Sequence, residues 1–128
     1  MARVLIPLAP GCEELEAVTL IDLLRRAQIE VVAAGLAPGP VKGSRGTVLL
    51  PDSTLDAVRQ QDFDMIVLPG GQPGATNLEH DARILPTGSA PVRVLHLSDA
   101  HMAPWQDRKQ RWMAALAGLF FAADLAVW

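Results

Sequence analysis

One cysteine, no block of like charge and no apolar run long enough to span a bilayer set the first limits on this chain. With Cys12 alone no internal disulfide can form, so a packed core must hold the fold, and a reducing compartment suits it. The 11 basic and 14 acidic residues are interspersed and leave a net charge of −3. That balance offers neither the cationic footprint of a nucleic-acid binder nor a basic face for an anionic membrane, so neither partner is expected. The C-terminal apolar stretch MAALAGLFFAADLAVW stays below the roughly 18 residues of a spanning helix and carries Asp124. The opening run MARVLIPLAP is too short for a signal peptide, and a cytoplasmic location is expected.

What is present is 128 residues, half of them apolar, enough for one domain around one core. Short apolar runs alternate with segments of helical period, the pattern of a parallel sheet covered on both faces. Strands are expected at residues 3–8 (RVLIPL), 29–34 (IEVVAA), 63–68 (FDMIVL), 92–97 and 124–128. Gly11 opens a helix with Glu13, Glu14 and Glu16 in its first turn, where carboxylates suit the helix dipole, and Arg25 and Arg26 at its far end. Leu15, Val18, Ile21, Leu24 and Ala27 trace its expected core face. Residues 35–50 read as turns around a small peripheral hairpin. Asp52 or Ser53 is placed to cap a short helix containing Leu55, Ala57 and Val58. The turn PGGQPG, with Gly70, Gly71 and Gly74, then leads into a helix over residues 75–85. The fold class is α/β: a flavodoxin-like or Rossmann-like three-layer sandwich of about five parallel strands, helices on both faces, plus the hairpin. In such sheets ligands sit beyond the carboxyl ends of the strands, which gathers Glu16, Gly71, Ser98, Asp99 and His101 near one rim. His96 reads as a packed strand residue bonded to a neighbour, and His80 as a solvated helix residue.

VLIPLAPGCEELEAVTLIDLLRRAQIEVVAAGL, SRGTVLLPD and DFDMIVLPGGQPGATNL, in this order and spacing, resemble the N-terminal half of the ThiJ/PfpI superfamily over residues 1–85. The resemblance implies a flavodoxin-like sandwich with a cysteine nucleophile at a strand-to-helix elbow, near a first-helix glutamate and backbone amides after the third strand. Glu16 matches that glutamate, and Gly71 matches the glycine lending an oxyanion-hole amide. A glutamate that hydrogen-bonds a thiolate needs an elevated pKa, which burial supplies. No Ala-X-Cys-X-Ala/Gly elbow occurs downstream; Ser98 falls near the cysteine's place by strand alignment. Cys12, at a position the family fills with alanine or serine, reads as a buried structural thiol.

VRVLHLSDAHM, followed by QDRKQRW and LAGL, resembles the start of calcineurin-like metallophosphoesterases over residues 91–127. That resemblance implies metal ligation by Asp99 and His101, without the Gly-Asp, asparagine and histidine ligands that complete such a site. A helix over residues 104–119, with Trp105 and Trp112 on its core stripe, would cover one face. The expectation is therefore a single domain, 1–128, made of two segments joined at residues 86–90. It would be an engineered or recombined chimera with no complete active site and no evolved activity. The alternative is a ThiJ/PfpI-type hydrolase or deglycase-like protein acting on reactive carbonyl compounds, and a second is a weak divalent-metal-binding phosphoesterase fragment. No cofactor is expected beyond a weakly held divalent ion at Asp99 and His101, and a homodimer through an exposed sheet edge is the expected self-association.

Overall fold

The computed structural model describes residues 1–84 and 92–97 in full and the backbone of residues 126–127. Strand β1 (Arg3–Leu8) leads through a tight turn into helix α1 (Glu14–Arg26) and back to β2 (Glu30–Gly35). A two-stranded antiparallel hairpin, β3 (Val41–Lys42) and β4 (Val48–Leu49), follows, then β5 (Ser53–Thr54) and the single-turn helix α2 (Leu55–Val58). The chain continues through β6 (Met65–Leu68), α3 (Gly74–Glu79), β7 (Arg93–His96) and β8 (Ala126–Val127).

The main sheet has the order β5-β2-β1-β6-β7-β8, parallel everywhere except at the last pair. The α/β flavodoxin-like fold with its small hairpin is thus the one expected, with two differences in the strands. The fifth parallel strand is the short β5, and the last strand lies antiparallel to β7 through Leu95↔Val127 and His96↔Ala126. Near-continuous apolar runs make strands here because both sheet faces are covered. On one face, Val4, Ile6, Leu8, Val31, Ala33 and Val67 pack with Ala17 of α1. On the other, Leu5, Ala34 and Ile66 pack with Leu55, Val58 and Leu78 of α2 and α3.

Several local expectations are corrected. Helix α1 starts at Glu14, not Gly11, because Gly11 sits at φ 82°, in the turn before it, and Glu13 is the N-cap. Its inward face is Ala17, Leu20, Ile21 and Leu24, whereas Leu15 and Val18 are 48% and 44% exposed. The helix is apolar on more than one stripe, so spacing alone did not select the face. Thr54, not Asp52 or Ser53, caps α2, its hydroxyl accepting from the Ala57 N–H at 3.3 Å. Asp52 instead accepts from the Ala33 N–H at 2.9 Å and pairs with Arg25 at 2.6 Å, tying α1 to the sheet edge. Helix α3 ends at Glu79, short of residue 85. Arg83 fixes the turn that follows, reaching Asp81, Asp56 and the Leu36 carbonyl. His80 is exposed at the end of α3 as expected. His96, the last residue of β7, is half-buried, and its side chain has no bond to a neighbour among the described residues. The helix expected over residues 104–119, with Trp105 and Trp112, and the joint at 86–90 lie outside the described residues.

Candidate functional site

At the carboxyl ends of β1 and β6 two turns meet back to back. Residues 9–13 carry the chain from β1 into α1, and residues 69–74 carry it from β6 into α3. The Glu13 N–H donates to the Gly70 carbonyl at 2.8 Å, and the Gly70 N–H donates to Glu16 Oε2 at 2.8 Å. Glutamate 16 thus lies half-buried on the first turns of α1 with its carboxylate against the β6–α3 turn.

This approach requires glycine. A Cβ at Gly71 would stand 2.5 Å from the Glu13 nitrogen, and the residue holds φ 91°, a backbone conformation in which only glycine is unstrained. A Cβ at Gly74 would stand 2.5 Å from Cys12 Cα, so there too backbone lies against backbone. Gly71 is buried, and among the described residues its N–H has no acceptor. A buried donor without a partner is costly, and such donors at a rim commonly receive the oxygen of a substrate.

Cys12 lies beneath this turn and is fully buried. Burial, with the nearby charge of Glu14 adding to it, pushes its thiol up to about 11. A thiol so raised stays protonated at neutral pH and is no nucleophile, which agrees with the structural role expected for it.

Among the described residues the carboxylate most deeply held is one the sequence marked only as a first-turn charge. Glu14 is 8% exposed, and its Oε1 accepts from the backbone N–H groups of Arg45 at 2.9 Å and Thr47 at 3.1 Å. The Ser44 hydroxyl lies 3.2 Å from Glu14 Oε2 and 3.2 Å from Glu13 Oε2. Burial alone would raise the Glu14 carboxyl, but the backbone bonds of its own N–H, Arg45 and Thr47, with the Ser44 hydroxyl, outweigh it and hold it below the usual range. The hairpin is therefore no peripheral excursion; its tip is bolted to the helix that carries Glu16. Gly43 leaves room for this contact: a Cβ there would collide with the Glu14 side chain.

The Leu97 N–H donates to the Leu68 carbonyl at 2.8 Å, so β7 ends beside the β6–α3 turn. Ser98, Asp99 and His101 follow it and lie outside the described residues. Of the five expected site residues the structure brings together Glu16 and Gly71. Among the described residues no cluster of three or more His, Cys, Asp or Glu side chains is arranged to hold a metal ion, and no helix is long and apolar enough to cross a membrane.

Known proteins resemble this chain over part of its length. The Parkinson disease protein 7 homolog of Danio rerio is 46% identical over 84 residues, 64% of this chain and 44% of that protein. Protein dj-1beta of Drosophila melanogaster is 50% identical over 72 residues, 56% of this chain and 38% of its own length. Glutathione-independent glyoxalase DJR-1.2 of Caenorhabditis elegans is 38% identical over 77 residues, 60% of this chain and 40% of that protein. Among solved structures, oxidized Toxoplasma gondii DJ-1 superposes with a TM-score of 0.64 at 41% identity, covering 66% of this chain and 46% of that one. The matched stretches thus span less than half the length of each of these relatives. These matches overturn the expectation of an engineered or recombined chimera without evolved activity, and nothing in them supports a metallophosphoesterase segment. The model of the DJ-1/PfpI family matches residues 2–87, two thirds of the sequence, and the chain belongs to that family.

Proposed function

We propose that the chain acts on reactive carbonyl compounds, as a hydrolase or deglycase-like protein of the DJ-1/PfpI type. The observation that carries this reading is the joint of Glu16 and Gly71: a carboxylate fixed by the Gly70 N–H at 2.8 Å next to a buried amide with no acceptor among the described residues. An aldehyde or ketone oxygen gains negative charge when its carbon is attacked, and the Gly71 N–H is placed to receive it. Glu16 takes the proton of the attacking hydroxyl and passes it to the oxygen that received the C=O electron pair. In a dicarbonyl adduct an internal hydride shift then gives an ester, and water cleaves it to the hydroxy acid and the free hydroxyl. Ser98, directly after Leu97, is the candidate nucleophile, since the Cys12 thiol is buried and protonated. The glyoxalase name of the Caenorhabditis elegans relative supports the same class of substrate.

The test follows loss of glyoxal or methylglyoxal with the purified full chain. Glu16→Gln should lower kcat by about 100-fold, the scale of a lost proton-transfer group, and Ser98→Ala by about 100-fold or more, because it removes the nucleophile. Cys12→Ala should leave the rate within about twofold, since its thiol stays protonated and out of the chemistry. Aldehyde loss no faster than in buffer, or loss indifferent to Glu16→Gln, would refute the reading.

A further inference from the structure

The two turns that form the site come from distant parts of the chain, and one side chain fastens the second to the first. Asn77, on α3, donates from Nδ2 to the Pro10 carbonyl at 2.9 Å. Its own backbone N–H is held by the Pro73 carbonyl at 2.9 Å, so the side chain is braced against the same turn that presents Gly70 and Gly71. Among the described residues it is the only side chain of the β6–α3 segment that donates to the β1–α1 turn. The other links are the backbone contacts that glycine permits, the Glu13 N–H donating to the Gly70 carbonyl at 2.8 Å, and the Gly70 N–H donating to Glu16 Oε2.

We infer that Asn77 is a positioning residue for the site: its amide clamps Pro10, and so sets where α1 holds Glu16 relative to the Gly71 N–H. The catalytic part of this inference rests on the carbonyl-directed reading above; the geometric part stands without it. Pro10 opens the turn, Gly11 packs against Pro73, and three residues later α1 begins. Release of the Pro10 carbonyl frees the turn to shift along the glycine contacts, and Glu16 moves with it. Displacements of this kind lower the rate of the chemical step more than they weaken ground-state binding. The bond is solvent-exposed, so the fold tolerates its loss.

The test uses Asn77→Asp, which keeps the shape and turns a donor into a carboxylate facing a carbonyl, with Asn77→Ala as a second variant in case that charge impairs folding. Hydrogen exchange of the Gly70 N–H reports the Glu16 bond directly, with the Ile66 and Val67 amides of β6 as internal controls. Gly70 exchange should speed by about tenfold while the β6 amides stay protected, the pattern of a local opening; general weakening of the fold would release all three. In the carbonyl assay, kcat should fall about tenfold with KM within about twofold of the parent. Unchanged Gly70 exchange in both variants overturns the inference, and so does faster exchange in all three amides. Faster Gly70 exchange with an unchanged kcat overturns its catalytic part. A parent chain with no Glu16-dependent turnover refutes the functional reading instead, and the exchange of Gly70 still decides the positioning role.

Discussion

Replacing Glu14 with glutamine changes one oxygen to an NH2 group and should separate the charge of this carboxylate from its shape. In the parent, Oε1 accepts two backbone N–H groups, from Arg45 and Thr47, at 2.9 and 3.1 Å. The Gln carbonyl can occupy the same place, and its NH2 can donate to the Ser44 hydroxyl, so no partner is stranded. What is lost is charge assistance. A hydrogen bond to an ionised acceptor contributes about 1.5–3 kcal/mol and a neutral one about 0.5–1.5, so two bonds weaken together by roughly 2 kcal/mol. For a chain of this length that corresponds to a fall in Tm of roughly 5–10 °C at pH 7.

The pH dependence supplies the sharper check. Glu14 is held below the usual carboxylate range in the folded protein, by backbone and Ser44 bonds that outweigh its burial. Its contribution is therefore complete above the unfolded value of about 4.3 and is lost as pH falls through the lower folded value. The parent and Glu14→Gln should differ most near neutrality and converge in acid, where the parent carboxyl is also neutral. Urea denaturation at pH 7 and at two or three values below 4.5 measures this. Equal stability at pH 7, or a gap that stays constant in acid, would refute the assignment of charge as the origin of the effect.

Three further outcomes follow from the same geometry. Cys12 should react with a thiol reagent at pH 8 only as fast as the protein opens, because its side chain is fully buried, and burial also pushes its thiol up to about 11. The unfolded thiol ionises near pH 8.5, so the contribution of this residue is complete below that value and declines as pH rises towards 11, a loss that Cys12→Ala should lack in alkaline melts. Gly74→Ala should cost about 2–3 kcal/mol or more, read by denaturant midpoint, because the new Cβ meets Cys12 backbone at 2.5 Å and neither chain can yield cheaply. Arg83→Met should cost about 1–2 kcal/mol at pH 7, since Arg83 is only 27% exposed and bonds Asp81, Asp56 and the Leu36 carbonyl. The cost should shrink in acid: the Arg83 side-chain bond holds the Asp81 carboxyl below its usual range, so its contribution is lost as pH falls through that lowered value.

The layered fold was legible because parallel strands buried on both faces leave unbroken apolar runs, and VLIPL, EVVAA and MIVL are such runs. Glu16 and Gly71 were legible only through family resemblance; as isolated residues, a helix glutamate and a turn glycine carry no chemistry. Glu14 was not legible because nothing local distinguishes it from its neighbours. Its donors lie 31 and 33 residues away, and only the folded hairpin brings them to it. The same holds for Asn77, whose acceptor lies 67 residues earlier. Local pattern reports which face of an element meets the core. It does not report which distant amide a polar side chain will meet.

The same physics explains why the last third of the sequence misled. Any β-α-β segment of a parallel sheet shows an apolar strand, a polar residue or two at its carboxyl end, and an amphipathic helix, whatever the family. Asp-X-His after a strand adds only two specified residues to that pattern. Among the described residues the strand after residue 91 shares one sheet and one core with the start of the chain. Here β7 continues the sheet in unbroken register, Met65↔Arg93 through Leu68↔His96, and the Leu97 N–H extends the ladder to the Leu68 carbonyl at 2.8 Å. Leu97 also shares a core with Val4, Ile6 and Ala17 from the start of the chain. A strand that pairs over four residues and packs with β1 and α1 completes the sheet beside the site, while the family match that overturned the chimera covers residues 2–87 and ends a few residues before it.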